Sequence, residues 1–159
     1  MTRASAPFAM PTSGKQPDFL VDTSVAVALV LADHEHHVQT TRAIGRSRLG
    51  LAGHAAFETF SVLTRLPAPA RRSPDVVSRL LAENFPESRY LSPQHAGELI
   101  ELLGKAGIAG GSVYDALVGA TAIEHRIKLA TRDRRALPTY RALQVDVEVL
   151  LDEELGGAS

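Results

Sequence analysis

Short apolar runs alternate along the chain with longer segments in which apolar residues recur at helical spacing. The short runs have the length of buried strands, and the longer segments have the length of amphipathic helices. The predicted strands are 19–21, 49–52, 89–92, 127–131 and 145–150, and the predicted helices are 24–32, 34–46, 54–66, 74–84, 93–104 and 112–125. This alternation predicts an α/β fold in which a mostly parallel sheet is covered on both faces.

Individual residues mark where several of these helices begin and end. Asp33 is the predicted N-cap of helix 34–46. Pro93 begins the helix that Gly104 ends, and a glycine-rich link from Gly104 to Gly111 leads to the next helix. The β-branched valines in 24–32 leave that segment ambiguous between helix and strand on propensity alone.

The length and composition of the chain are those of one ordinary globular domain. We expect this domain to span 18–151, after a disordered arm (1–17) and before a C-terminal tail (152–159). The 17 basic and 18 acidic residues nearly balance, which neither supports nor excludes nucleic-acid binding. The absence of cysteine excludes disulfides and thiol nucleophiles and suits a cytoplasmic protein. No apolar stretch reaches the length of a membrane span.

Four carboxylates lie where apolar segments break: Asp22, Glu58, Asp115 and Asp133. Asp22 and Asp133 follow predicted strands, and in open α/β sheets ligands bind beyond the carboxyl ends of strands. Asp115 and Glu58 lie near the starts of helices that begin at the same rim. Carboxylate oxygens are ligands of Mg²⁺ and Mn²⁺, and a metal at such a site activates water and stabilises an in-line phosphorus transition state. The pattern therefore points to phosphodiester hydrolysis.

Each acid also has a structural explanation. Asp22 and Asp133 can cap the segments that follow them, and Ser112 and Asp115 have the spacing of a capping box. Glu58 can be a surface residue that pairs with an arginine. Capping does not explain why all four acids fall on one predicted rim.

At these residues the chain resembles the PIN-domain ribonucleases, and specifically the VapC-type toxins of type II toxin–antitoxin systems. The matching segments are FLVDTSVAVALV with Asp22, AFETFSVLTRL with Glu58, GGSVYDALVGATA with Asp115, and LATRDRRAL with Asp133. They follow the order of the family's four acidic motifs and span 18 to about 151. The 17-residue lead departs from the family, which usually begins close to its first strand; translation from Met10 would explain it.

The resemblance implies a three-layer α/β/α fold and Mg²⁺- or Mn²⁺-dependent endonucleolytic cleavage of RNA. It also implies neutralisation by a cognate antitoxin, and homodimerisation. Asp22 and Asp115 match the family's most direct metal-binding positions, and Glu58 and Asp133 match acids that complete the site or hold metal-bound water. Neighbouring polar residues match positions that hydrogen-bond these carboxylates: Thr23, Ser24 and Thr131.

Other interpretations stay open beside this one. A non-catalytic PIN-like module that binds RNA or protein is the main alternative. A haloacid-dehalogenase-type phosphatase needs a second Asp two residues after Asp22, where this chain has Ser24. His34 and His37 have the spacing of zinc ligands on one helical face, although a solvated helix start is the simpler interpretation. Positive charge beside Asp133 suits a substrate phosphate and comes from Arg132, Arg134 and Arg135.

Overall fold

The computed structural model describes residues 15–152, which form one parallel sheet with helices on both faces. The strands are β1 (Phe19–Val21), β2 (Leu49–Leu51), β3 (Leu129–Thr131) and β4 (Val147–Val149). The helices are α1 (Thr23–Val30), α2 (His37–Ile44), α3 (His54–Thr64), α4 (Pro74–Asn84), α5 (Pro93–Ala106), α6 (Ser112–His125) and α7 (Leu137–Ala142), with a 3₁₀ turn at Arg134–Ala136. Most of the predicted N-terminal arm and of the C-terminal tail lies outside the described residues.

The sheet has the order β2-β1-β3-β4, and every neighbouring pair of strands is parallel. Successive residues of β1 point to opposite faces, as the pleat requires. Val21 packs into an apolar cluster with Leu63 of α3 and Val77 of α4. Leu20 packs on the other side, with Val118 of α6 and with Tyr140. The predicted three-layer α/β/α fold is confirmed.

The sheet contains four strands rather than the five that the pattern predicts, because segment 89–92 does not form a strand. Among residues 15–152 its pairing is a single parallel bridge between Ala52 and Arg89. Ser92 already caps α5, since its hydroxyl accepts a hydrogen bond from the backbone N of His95 at 3.2 Å. The chain therefore turns away from the sheet edge before a ladder can form.

Several predicted helix ends differ from the structure by two or three residues, and two of these differences have a local cause. Helix α2 begins at His37 instead of His34, and Asp33 does not cap it; the side chain of His34 accepts a hydrogen bond from the backbone N of His36 and holds a turn there. Helix α5 continues through Gly104 to Ala106. It ends at Gly107, whose φ of 67° is the left-handed conformation of a C-terminal glycine cap.

Two further segments are decided by their tertiary surroundings. Most of the valine-rich segment 24–32 lies in helix α1, which ends at Val30 and of which Val25, Ala26 and Ala28 are buried. Helix α7 has only six residues and no prediction anticipated it. None of the helices described in residues 15–152 is long and apolar enough to cross a membrane.

Candidate active site

Asp22 is the most enclosed of the four acids and lies at the junction of β1 and α1. Its Oδ1 accepts hydrogen bonds from Ser24 Oγ at 2.5 Å and from the backbone N of Val25 at 3.3 Å. Its Oδ2 accepts from Thr131 Oγ1 and from the Tyr140 hydroxyl at 3.1 Å. Burial raises the pKa of the Asp22 carboxyl, and the four donors oppose this by stabilising its charged form.

Two hydroxyl groups tie Asp22 to the loop that carries Asp133. Thr131 Oγ1 donates to Asp22 and accepts from the backbone N of Asp133 at 3.0 Å. Ser24 Oγ donates to Asp22 and accepts from the backbone N of Arg132 at 2.9 Å. Because each hydroxyl both donates and accepts, the loop after β3 is fixed against the start of α1.

Asp133 is half-buried and anchors the turn that follows it. Its Oδ1 accepts from the backbone N of Arg135 at 3.0 Å, which caps the 3₁₀ turn, and lies 3.4 Å from Arg135 Nε. The guanidinium of Arg135 is almost fully exposed, so this contact adds little stability. One carboxylate edge is thus committed to the backbone.

Asp115 and Glu58 lie on α6 and α3, near the helix starts. Asp115 is half-buried in the first turn of α6, and Glu58 is exposed. Partial burial raises the pKa of Asp115 to about 6, and the negative charges of Asp133, Asp22 and Glu58 contribute in that order; Arg135 opposes them. The structure therefore brings the four sequence-predicted acids into one electrostatic neighbourhood.

The close approach of α3 to α6 positions the helices that carry Glu58 and Asp115. Gly53, with φ of 51°, precedes α3, and a Cβ at this position would lie 2.7 Å from Thr121 Oγ1. One residue later, the His54 ring stacks on Tyr114 with a centroid distance of 4.7 Å and an interplanar angle of 18°. The close approach at Gly53 and the stacked rings of His54 and Tyr114 thus hold the starts of α3 and α6 together.

Of the structural roles predicted for the four acids, two are observed and two are not. Asp22 and Asp133 are helix caps, as predicted. The predicted capping box of Ser112 and Asp115 does not form, because the N-cap of α6 is Gly111 and no side chain makes a capping hydrogen bond there. Glu58 forms no ion pair within residues 15–152, so the predicted arginine partner is absent from the described part of the chain.

Of the three polar residues predicted to support the acids, two do so. The hydrogen bonds from Ser24 and Thr131 to Asp22 are confirmed. The prediction that Thr23 supports a carboxylate is wrong, because its hydroxyl is buried and has no hydrogen-bond partner among the described residues. Thr23 is the first residue of α1, and its neighbour Ser24 takes the position beside Asp22.

The donor chemistry of the four acids fits Mg²⁺ or Mn²⁺. They offer only carboxylate oxygens, and a cation relieves their mutual repulsion, which adds to partial burial in raising the pKa of Asp115. No group of three or more histidine or acidic side chains in residues 15–152 is arranged to hold an ion directly. Magnesium is commonly bound by one or two carboxylates and retains several waters, so this open arrangement suits it better than a metal that needs a closed cage.

A cleft of about 340 Å³ opens beside Asp133 and is lined by three arginines. The Arg132 side chain is only 7% exposed and pairs through Nη2 with Asp152. Its Nε and Nη1 have no hydrogen-bond partner within the described residues. Arg134 and Arg135 are exposed at the same cleft. The positive charge predicted next to Asp133 is present.

The histidines at 34–37 do not form a zinc site in the described structure. His34 lies outside α2, so the shared helical face on which the zinc hypothesis depends does not exist. His37 Nδ1 lies 2.8 Å from the carbonyl oxygen of Ala28. His36 lies between the carboxylates of Glu35 and Asp152. The simpler interpretation also needs correction, because these residues form a turn before the helix.

Tyr140 is the residue of the site that sequence reasoning missed. It is buried on α7, where its ring packs with Leu20 and its hydroxyl reaches Asp22. A buried tyrosine normally needs a polar partner for its hydroxyl, and this rule is the only sequence signal that could have drawn attention to it. Burial and the adjacent Asp22 carboxylate raise the pKa of the Tyr140 hydroxyl, which keeps it protonated as a donor.

Comparisons with known proteins agree with this architecture. A family model described as the PIN domain matches residues 19–142, which include all four acids. Ribonuclease VapC27 of Mycobacterium tuberculosis (strain ATCC 25618 / H37Rv) is 44% identical over 134 residues, covering 84% of this chain and 98% of that relative. Ribonuclease VapC40 of M. tuberculosis (strain CDC 1551 / Oshkosh) is 45% identical over 131 residues, covering 81% and 96%.

A solved structure shares the fold at low sequence identity. The crystal structure of M. tuberculosis VapC20, described as a sarcin–ricin loop cleaving toxin, matches with a TM-score of 0.61. It is 19% identical, and the match covers 76% of this chain and 93% of that chain. At this identity the likeness supports the arrangement of strands and helices.

Proposed function

The chain belongs to the PIN-domain family and to its VapC ribonucleases, and we propose that Asp22, Glu58, Asp115 and Asp133 form its active site. The protein is an endoribonuclease toxin. Partial burial raises the pKa of Asp115 to about 6, and the observation that carries the site assignment is that Asp133, Asp22 and Glu58 lie close enough for their negative charges to raise it as well. Acids that repel one another at an open rim are suited to receive a divalent cation.

The proposed cofactor is Mg²⁺ or Mn²⁺, held principally by Asp22 and Asp115. When bound, such an ion supplies a polarised water and stabilises negative charge at the phosphorus. Glu58 and Asp133 complete the site or orient water there. Four hydrogen bonds fix the orientation of the Asp22 carboxylate in the metal-free protein. This carboxylate therefore needs little reorganisation when a metal ion binds.

Substrate phosphates are the proposed ligands of the arginine-lined cleft beside Asp133. Arg134 and Arg135 are exposed there and can contact a phosphate, whereas Arg132 is nearly buried and adds its positive charge from below the surface. Phosphate contacts position RNA without reading its sequence. Recognition of the RNA bases is therefore assigned to other surfaces of the protein.

The biological partners follow from the same proposal. The relatives are ribonucleases named VapC, and VapC20 is described as a toxin, which supports a toxin that a cognate antitoxin neutralises. We expect the protein to act on RNA in the cytoplasm and to form a homodimer. Growth arrest on expression, rescue by co-expression of the neighbouring reading frame, and sedimentation velocity of the purified chain test these three expectations.

Single-turnover cleavage of RNA tests the proposed site. We expect cleavage by the wild type in Mg²⁺ or Mn²⁺ and none in EDTA. Asp115→Asn is expected to cleave at least about 100-fold more slowly, because metal-assisted charge stabilisation is worth several kcal/mol. Glu83→Gln, which removes an exposed acid from α4, is the matched control and is expected to keep full activity.

Two results would count against this assignment. Full activity of Asp115→Asn would show that the four acids are not the catalytic centre. RNA binding by the wild type without cleavage in either metal would favour the alternative of a non-catalytic PIN-like module.

A further inference from the structure

Two pairs of aromatic rings lie on or near the helices that carry Glu58 and Asp115: His54 with Tyr114, and Phe57 with Tyr90. The rings of His54 and Tyr114 are stacked, with centroids 4.7 Å apart. Those of Phe57 and Tyr90 meet edge to face, with centroids 6.3 Å apart. His54 and Phe57 are three residues apart on α3, so the two pairs occupy neighbouring positions on the surface of that helix. We call this surface the aromatic strip.

The aromatic strip is open to solvent. Phe57 is 67% exposed, Tyr114 is 52% exposed and Tyr90 is 39% exposed. Within residues 15–152 these three are the exposed large aromatic residues; the other exposed large apolar side chains, such as Ile100, are aliphatic and lie elsewhere in sequence. Exposed apolar groups that cluster in this way mark a binding surface more often than scattered ones do.

The aromatic strip adjoins the proposed active site on both helices that carry acids. Phe57 directly precedes Glu58, and His54 lies one helical turn before it. Tyr114 directly precedes Asp115 in the first turn of α6. The aromatic strip therefore lies at the same two helix starts as Glu58 and Asp115, whereas the arginines of the site follow β3.

We propose that the aromatic strip stacks unpaired bases of the RNA next to the phosphodiester that is cleaved. The proposal rests on the proposed ribonuclease function for the identity of its ligand. Every base has a π-face, so stacking on aromatic side chains holds single-stranded RNA with little dependence on sequence. Rings also bind the substrate without placing cations against Glu58 and Asp115, where a lysine or arginine would pair with the carboxylates.

Binding of a short RNA to the full chain in EDTA tests the proposal without requiring cleavage. The probe is a fluorescein-labelled, 12-nucleotide single-stranded RNA of mixed sequence, compared with an abasic oligonucleotide of the same backbone length. We expect the wild type to prefer the base-containing probe. Because stacking of one base on an aromatic ring is worth about 1–3 kcal/mol, Phe57→Leu and Tyr114→Leu are each expected to reduce this preference about tenfold. Neither variant is expected to change binding of the abasic probe.

Two further variants separate stacking from structural effects. Tyr114→Phe keeps the ring and is expected to keep the preference, whereas Ile100→Ala removes an equally exposed apolar side chain from α5 and is expected to change nothing. A 2-aminopurine placed in the probe reports stacking directly, because its fluorescence falls when it stacks. We expect this quenching with the wild type and Tyr114→Phe and its loss in the leucine variants.

The proposal is overturned if both leucine variants, folded as judged by thermal unfolding, bind and quench as the wild type does. Retained RNA binding together with weakened binding of a co-expressed antitoxin would also overturn it and would assign the strip to a protein partner. Because these measurements contain no metal, a loss of base preference in the leucine variants would support the strip even if the four acids proved not to cleave RNA.

Discussion

The four acids form two pairs that the fold treats differently. The strand-side acids, Asp22 and Asp133, follow β1 and β3 and are hydrogen-bonded into the backbone around them. The helix-side acids, Glu58 and Asp115, have no hydrogen bond or ion pair within residues 15–152. Hydrogen bonds fix the orientation of the first pair, whereas partial burial and then mutual repulsion raise the pKa of Asp115 in the second. The same type of side chain is therefore held in place by hydrogen bonds at one side of the rim and has no such contacts among the described residues at the other.

The largest difference between the pairs is expected when Asp22 is truncated. Asp22→Ala leaves four buried or half-buried donors without their acceptor, and each unsatisfied buried group is costly. We expect the free energy of unfolding to fall by about 3 kcal/mol or more. Urea denaturation measures it, and a loss below about 1 kcal/mol would show that the network around Asp22 is not structural.

A smaller loss is expected when one donor to Asp22 is removed. Tyr140→Phe keeps the ring in the cluster with Leu20 and deletes only the hydroxyl. We expect a loss of about 1–2 kcal/mol, the usual range for a hydrogen bond to a charged group. The pKa of Asp22 is expected to rise further, because one donor that lowers it is gone. Denaturation and carboxyl-carbon NMR measure the two effects, and an unchanged pKa would contradict the second.

Asp115→Asn is expected to act in the opposite direction and to stabilise the metal-free protein. The pKa of Asp115 is raised to about 6 in the folded chain, so the unfolded chain releases this proton first and stability falls as pH rises from about 4 to about 6. Neutralising the side chain removes that penalty. We expect a gain of about 1 kcal/mol above pH 6, discounted for solvent exposure, and none near pH 3.

Thermal unfolding of the wild type and Asp115→Asn between about pH 3 and pH 7 tests this prediction. A variant that is less stable than wild type at every pH would mean that Asp115 is held by contacts, as the capping hypothesis requires. Such a result would remove the difference between the two pairs.

The smallest effect on stability is expected at Glu58. This side chain is exposed and unpaired in the described residues, so Glu58→Gln is expected to change the free energy of unfolding by no more than about 0.5 kcal/mol. Its negative charge still raises the pKa of Asp115, which is therefore expected to fall in the variant. An NMR titration of Asp115 that is identical in wild type and Glu58→Gln would place Glu58 outside the cluster.

Periodicity predicted most of the fold because most elements bury an apolar face. Strand β1 and helices α4 and α6 occur where the pattern indicates. The errors fall where a local hydrogen bond competes with the pattern, as at His34 before α2, or where the chain turns early, as at Ser92. Helix α7 is too short for periodicity to reveal, and tertiary contacts decide it.

The acids themselves were predictable from strand order, but their surroundings were not. Capping rules correctly identified Asp22 and Asp133, because a cap depends on residues close in sequence. The same rules failed for Asp115, whose pKa depends on its burial in the folded chain and then on acids far away in sequence. Tyr140 reaches Asp22 across 118 positions, and no local pattern encodes that contact.

Isothermal titration calorimetry of the metal-free protein with Mn²⁺ tests most directly whether the strand-side and helix-side acids form one metal-binding site. The wild type is expected to bind Mn²⁺. One variant from each side, Asp22→Asn and Asp115→Asn, is expected to bind at least about tenfold more weakly, and the control Glu83→Gln is expected to match the wild type. Equal affinity in the wild type and both site variants, or no binding by the wild type, would contradict the account.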